Sequence, residues 1–316
     1  MYDLVIIGAS AASFPAAVYA ARRGLNFIMI TKDIGGELAL SGVVNNWPGT
    51  KEISGFDLSK QMHEHALSYD VKIEEGLEVK KITQKNKTHI VLAEDSAGKK
   101  KEFATKTVLI SSGIHPRELN IPGEQDFRGK GVTYCTVCDG PLFKAKTTAT
   151  IGAGNSALES ALMMAGIAEK VYVVTKYENK PATQGGFPRG EAILVKKLKA
   201  LTNVEIIYNS DTKEIKGGAM VTGIDIADQA TGEARELAVQ GVMVHIGMIP
   251  NSDFVTCAKK NQLKEIEVNL KCETSCPGIF AAGDVTNVPY KQIVIAAGQG
   301  VTAALSAIEY INKFAD

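Results

Sequence analysis

Charge of neither sign dominates this chain: 35 basic and 35 acidic residues cancel across 316 positions. The longest lysine run, Lys99-Lys100-Lys101 after Gly98, reads as a solvated hairpin tip, so nucleic acid is not an expected partner. No stretch of about 18 unbroken apolar residues occurs, and no membrane-spanning helix is expected. The start, Met1-Tyr2-Asp3-Leu4-Val5-Ile6-Ile7-Gly8, has no basic leader and meets a glycine too early for a signal-peptide core. Cysteine is also scarce. Five in a chain this long, an odd number, fit a reducing compartment better than a disulfide-stapled secreted domain, and the cytoplasm is the expected location.

Two of those five stand as Cys135-Thr136-Val137-Cys138, followed at once by Asp139-Gly140. Such a pair has three chemical readings: half a zinc site, a structural staple, or a dithiol that carries two electrons. Zinc takes about four nitrogen or sulfur ligands, and Cys257, Cys272 and Cys276 supply no second pair at this spacing. His63-Glu64-His65 does not supply it either, because residues two apart point to different faces of a helix. A staple across so short a loop restricts the unfolded chain little. The redox reading is favoured. Cys272 and Cys276 are expected to be inert thiols rather than a second redox pair.

The length exceeds the usual size of a single core, which predicts two domains. Two strand-turn-helix units mark them. Residues 3–7 read as a buried parallel strand, followed by Gly8-Ala9-Ser10-Ala11-Ala12-Ser13, a helix with Phe14, Ala17, Val18 and Ala21 on one face, and a second strand from Leu25 to Ile30. The second unit has a strand over Thr148–Ile151, the loop Gly152-Ala153-Gly154-Asn155-Ser156, a helix with Leu158, Ala161, Leu162 and Ala165 inward, and a strand over Val171–Thr175. Backbone N–H groups at a helix start point at a pyrophosphate, and small residues let it approach. In the first unit only Gly8 of the usual three glycines remains, and a positive φ at Ser10 would carry a strain that glycine avoids.

These motifs, with Gly35-Gly36-Glu37-Leu38, Asn46-Trp47-Pro48-Gly49, Lys130-Gly131-Val132-Thr133-Tyr134, Lys271-Cys272-Glu273-Thr274, Phe280-Ala281-Ala282-Gly283-Asp284 and Val288-Pro289-Tyr290-Lys291-Gln292-Ile293, resemble the low-molecular-weight thioredoxin reductases. The chain looks much like the reductase portion of the alkyl hydroperoxide reductase flavoprotein subunit. The resemblance implies an α/β fold of two Rossmann-like three-layer domains of the FAD/NAD(P)-binding disulfide reductase type. It places FAD on residues 1–117 and 246–316, around an inserted pyridine-nucleotide domain at 118–245. The Pro/Gly-punctuated crossings His115-Pro116-Arg117-Glu118 and Gly247-Met248-Ile249-Pro250-Asn251 suit those boundaries.

By the same resemblance, Gly8, Ser10, Ala11, Gly36, Glu37, Leu38, Asn46, Gly113, Asp284, Lys291, Gln292 and Ile293 hold FAD, with a helix running from Lys291 to Tyr310. Trp47 is read as packing. Gly152, Gly154, Asn155, Ser156 and Lys176 hold the nicotinamide dinucleotide. Cys138 takes electrons from the flavin, Cys135 exchanges with a partner disulfide, and Asp139 donates and accepts the proton. The resemblance further implies a homodimer, domain rotation during turnover, and a thioredoxin-like partner, with a peroxiredoxin system as the alternative.

The pattern breaks at the donor. The His-Arg-Arg cluster that grips the 2′-phosphate of NADPH is replaced by Thr175-Lys176-Tyr177-Glu178, and Thr175 stands where an NADH enzyme carries an acid. Lys176, Lys180 and Arg189 are the cations within reach, with solvated surface charge as their plainer reading. NADPH leads, with NADH and reduced ferredoxin as alternatives. A flavin or dithiol redox sensor is the alternative of another class.

Overall fold

The computed structural model describes residues 1–41 and 43–313; the end of the expected second FAD segment, 314–316, lies outside the described residues. The chain forms two compact units, Met1–His115 with Ile249–Asp316, and Pro116–Met248.

In the first unit, Tyr2–Ile7 lies between Phe27–Ile30 and Lys100–Ile110, all parallel, and Ile73–Glu74 extends the sheet beyond Phe27–Ile30. Side chains alternate across a strand, so Leu4 and Ile6 enter one core with Phe14, Ala17 and Ala303, while Val5 and Ile7 enter another with Val91, Phe103 and Val255. Burial on both faces explains why Leu4–Ile7 is continuously apolar rather than alternating. Besides Tyr2–Ile7, strand Lys100–Ile110 serves two further partners: its first half pairs antiparallel with Thr88–Asp95, and Val108–Ile110 pairs parallel with Ile279–Ala281.

The second unit repeats the plan. Its five-stranded parallel sheet places Thr147–Ile151 between Lys170–Val174 and Gly241–Val244, with Val204–Ile207 and Val132–Thr133 at the edges. Ala149 and Ile151 face a core shared with the meander Ser210–Gly217, Val221–Asp228 and Ala234–Ala238, whereas Val171, Val173 and Met243 face Leu158, Ala161 and Leu198. The expected α/β class holds in both units.

The last helix, Ile293–Asn312, is apolar and long enough to cross a membrane. In this fold its small-residue face meets the helix Ser13–Arg22: a Cβ on Gly300 would come within 1.9 Å of the Ala12 carbonyl oxygen. Close backbone approach is what its run of alanines and glycines permits.

Details depart from the sequence reading at several points. The second strand starts at Phe27, because Leu25 still donates its N–H to Ala20 O and closes the preceding helix. Helix Asn155–Ala165 buries Met164 beside Ala157, Leu158 and Ala161, leaving Leu162 and Ala165 only half-buried. The last helix starts at Ile293; Lys291 before it is held by Glu265 at 2.8 Å and by the Thr286 carbonyl, and Gln292 is extended. Of the lysine run, Lys100 and Lys101 already belong to a strand, and Lys101 pairs with Glu74 at 2.8 Å.

Candidate active site

Cys135 and Cys138 are joined in a disulfide with Cα atoms 5.3 Å apart, within the span such a bond allows. The sequence closes it by making a single helical turn, Thr136–Asp139, whose N-cap is Cys135 itself. The Cys138 N–H points at Cys135 Sγ, 3.3 Å away. A donor aimed at that sulfur favours negative charge on it once the bond opens. Asp139 follows directly, and Thr133 Oγ1 donates to its Oδ2 at 2.5 Å while accepting from the Cys135 N–H at 3.0 Å. One threonine thus fixes both the carboxylate and the start of the dithiol turn.

Three residues that the motif reading did not single out hold this turn from beneath. Buried Thr136, between the cysteines, places its hydroxyl 2.5 Å from Ser160 Oγ and 2.8 Å from His245 Nε2. His245 directly follows the strand Gly241–Val244, and its backbone N–H donates to Ile151 O at 2.8 Å. Burial pushes its imidazole down from 6.5 to about 4, so it stands neutral beside Thr136 at ordinary pH. Only spatial proximity reveals this chain, because 109 residues separate Thr136 from His245.

A pH dependence follows from His245. Its pKa is depressed on folding, so the unfolded chain takes up the proton first as pH falls. The stabilisation is complete above about 6.5 and is lost on the way down to about 4; the difference corresponds to roughly 3 kcal/mol. Urea midpoints at pH 7.5 and 4.5 are expected to differ more in the parent chain than in His245→Gln. Equal differences would remove His245 as the cause.

Each glycine turn is imposed by a carbonyl opposite. Gly8, at φ +113°, has no room for a Cβ, which would lie 2.4 Å from Ser111 O; Gly152, at φ +147°, would set one 2.1 Å from His245 O. Ser10 keeps a negative φ and donates to Gly35 O at 2.6 Å, so the strain expected there does not arise. The helices that follow, Ser13–Arg22 and Asn155–Ala165, start without a side-chain cap; in the first, the Phe14 N–H already donates to Ser10 O at 3.0 Å and Pro15 carries none, so backbone rather than a side chain closes most of its opening turn.

The remaining expected residues fall as follows. Ala11 lies buried in the first loop, and Gly36, Glu37 and Leu38 form a short helical turn with Glu37 exposed and Leu38 buried in the core. Trp47 packs half-buried on the same core. Gly113 has open space where a Cβ would stand. Asn46 Nδ2 donates to Gln292 Oε1 at 3.1 Å across 246 residues, and Ile293 is half-buried just behind. Asp284 follows strand Ile279–Ala281; burial holds its carboxyl above the usual range, against the opposing charge of Lys291. Lys176 is exposed near the Tyr177 ring, while Ser156 is exposed in the first turn of its helix. Asn155 grips Glu191 with both side-chain atoms, at 2.8 and 2.9 Å, and Arg189 bridges to the Gly154 backbone. Thr175 is buried and donates to Gly186 O at 2.7 Å, so it is spent on the loop beyond the strand.

A family model described as pyridine nucleotide-disulphide oxidoreductase matches residues 2–300. The chain belongs to this family. It is 38% identical to an alkyl hydroperoxide reductase component of Pseudomonas putida over 99% of its own length and 58% of that relative. It is 37% identical to a Bacillus subtilis (strain 168) protein named NADH dehydrogenase, over 99% of this chain and 59% of the relative. The chain thus spans less than two thirds of these curated relatives. Among solved structures, the T. acidophilum thioredoxin reductase superimposes with a TM-score of 0.76 at 35% identity, covering 99% of both chains.

Membership makes this a flavin-dependent disulfide oxidoreductase with two Rossmann-like domains, and FAD is the cofactor that comes with it. The first unit fits that group. The uncapped helix after Gly8 suits a pyrophosphate, and the half-buried Asp284 carboxyl suits hydroxyl donors of a ribityl chain.

The other cysteines need one correction. Cys276 is not a free inert thiol: it is joined to Cys257. An isolated antiparallel bridge between Lys260 and Ile266 folds the intervening residues back, and a 19-residue separation carries no motif that announces the pairing. Cys272 is the free one, buried, with burial pushing its thiol up to about 11. His63 stacks on Phe14 at 5.5 Å, and no metal-holding cluster occurs among the described residues.

Proposed function

We propose that this enzyme carries electrons from a nicotinamide dinucleotide through FAD to the Cys135–Cys138 disulfide, and from there to the disulfide of a small partner protein in the cytoplasm. The observation that carries the reading is the closed Cys135–Cys138 bond with Asp139 beside it, in a turn braced by Thr133, Thr136 and His245. FAD, when bound in the first unit, supplies two-electron transfer. The protein's own groups do the rest. Opening the disulfide takes two electrons and two protons and yields two thiols. Cys135, whose sulfur faces the Cys138 N–H, attacks one sulfur of the partner disulfide and expels the other as a thiolate, which takes up a proton. Cys138 then attacks Cys135, re-forms the bond, and releases the second partner thiol. Asp139 is placed to hold and return the protons of these steps.

The partner class has support from two sides: thioredoxin reductases share the fold over nearly their whole length, and the alkyl hydroperoxide reductase component shares the sequence. A thioredoxin-like protein is the reading taken, with a peroxiredoxin system second. For the donor, Arg189, whose backbone bridges to Gly154, is a cation beside the nucleotide loop, and it suits a phosphate of either NADPH or NADH. Ferredoxin is a second reading, favoured by the burial of Thr175 at the position where an acid would grip ribose.

Anaerobic titration of the flavin-loaded protein with NADPH, then NADH, decides among these. Stoichiometric bleaching of the oxidised-flavin absorbance by one of them is the expected result. A flavin that responds to dithionite but to neither nucleotide would overturn the nicotinamide donor and leave ferredoxin. Full bleaching without reduction of any thioredoxin or peroxiredoxin would favour a redox sensor.

A further inference from the structure

We propose that Cys257 and Cys276 form a second redox-active site, in which a hydroperoxide oxidises the exposed Cys257 and Cys276 closes a disulfide on it. The two lie in the first unit, joined across Cα atoms 6.0 Å apart, and belong to no part of the dithiol turn.

The fold holds these residues together by contacts that do not depend on the bond. Lys259 donates its N–H to Ser275 Oγ at 2.8 Å, and Glu267 donates to Lys259 O at 3.0 Å. Cys276 N–H is fixed on Thr274 Oγ1 at 3.1 Å, and Ile266 is tied to Val285 O at 2.9 Å. With the bond open, these anchors keep the sulfurs within reach, so closure requires no rearrangement of the chain. Exposure divides the roles. Cys257 is exposed and open to a small oxidant, whereas Cys276 is 7% exposed in a core with Val255, Ile266 and Ile279. Susceptibility to oxidation follows thiolate character and access. The third cysteine of this unit, Cys272, is turned away: its thiol donates to the Gln299 carbonyl at 3.5 Å in another core.

The chemistry balances with the peroxide as oxidant. The Cys257 thiolate attacks one peroxide oxygen, the O–O bond breaks, and the alcohol or water leaves as Cys257 becomes a sulfenic acid. Cys276 sulfur then attacks Cys257 sulfur, the S–O bond breaks, and hydroxide leaves with the Cys276 proton as water. Two thiols and one hydroperoxide give one disulfide, one alcohol or water, and one water.

The test uses the full chain as Cys135→Ser/Cys138→Ser, so that the catalytic pair contributes nothing and neither donor nor partner enters. The protein is reduced, freed of reductant, treated with one equivalent of hydrogen peroxide, alkylated and mapped by mass spectrometry. Alkylatable thiols are expected to fall from three to one, with a linked Cys257/Cys276 peptide that reductant separates. With Cys276→Ser added, Cys257 is expected to be trapped by a sulfenic-acid probe instead. Three thiols still alkylated, a link to Cys272 or between chains, or Cys257 driven to sulfinic acid beside a free Cys276 would each overturn the proposal. None of these results depends on the electron path proposed above.

Discussion

Cys138→Ser is expected to leave flavin content and donor-driven bleaching intact while reducing disulfide turnover by at least about a thousandfold, because no other sulfur can take over an exchange that needs two. The N-cap geometry survives the change, since it rests on Cys135 Sγ and a backbone N–H. Cys135 therefore remains competent for the first attack and incompetent for release. The enzyme should accumulate as a mixed disulfide with its partner, visible as a reductant-sensitive adduct by intact mass. Cys135→Ser should lose turnover as well, without the adduct. Retained turnover in Cys138→Ser, or adducts forming equally through Cys138 in the other variant, would reverse or remove the assigned roles.

The two units were legible in the sequence because each announces itself locally. Strand residues Leu4–Ile7 and Thr148–Ile151 are short buried runs, each followed by a glycine whose φ no other residue readily takes, then by a helix with an apolar face. The dithiol was legible for the same reason, its chemistry being written in four consecutive residues. What stayed hidden was built by the topology. Thr136 meets His245 because strand Gly241–Val244 lies next to Thr147–Ile151, and Asn46 meets Gln292 across 246 residues. Cys257 finds Cys276 through a fold-back with no repeating pattern. Lys291, expected at the flavin, is taken by Glu265, an ion pair 26 residues apart that composition cannot disclose.

Gly152→Ala tests whether the second glycine turn is a nucleotide site or only a strand-to-helix corner. The new methyl would lie 2.1 Å from His245 O and 2.8 Å from the Ala157 methyl, at φ +147°, which L side chains rarely adopt. Backbone on the far side cannot yield as a flexible side chain would, so the loop must move. Such strain amounts to roughly 1–3 kcal/mol, and its natural outlet is displacement of the N–H groups that open helix Asn155–Ala165. If those groups receive the dinucleotide, kcat/KM for the nucleotide should fall on the order of a hundredfold. Flavin content should not change, because Gly8 and Asp284 belong to the other unit. Reduction of the dithiol by dithionite through the flavin separates the two consequences of the substitution. His245 also braces Thr136, so a distorted turn would slow that step too, whereas a defect confined to nucleotide binding would leave it at the parent rate. An unchanged kcat/KM would mean that the glycine serves the corner alone and that electrons enter by another route.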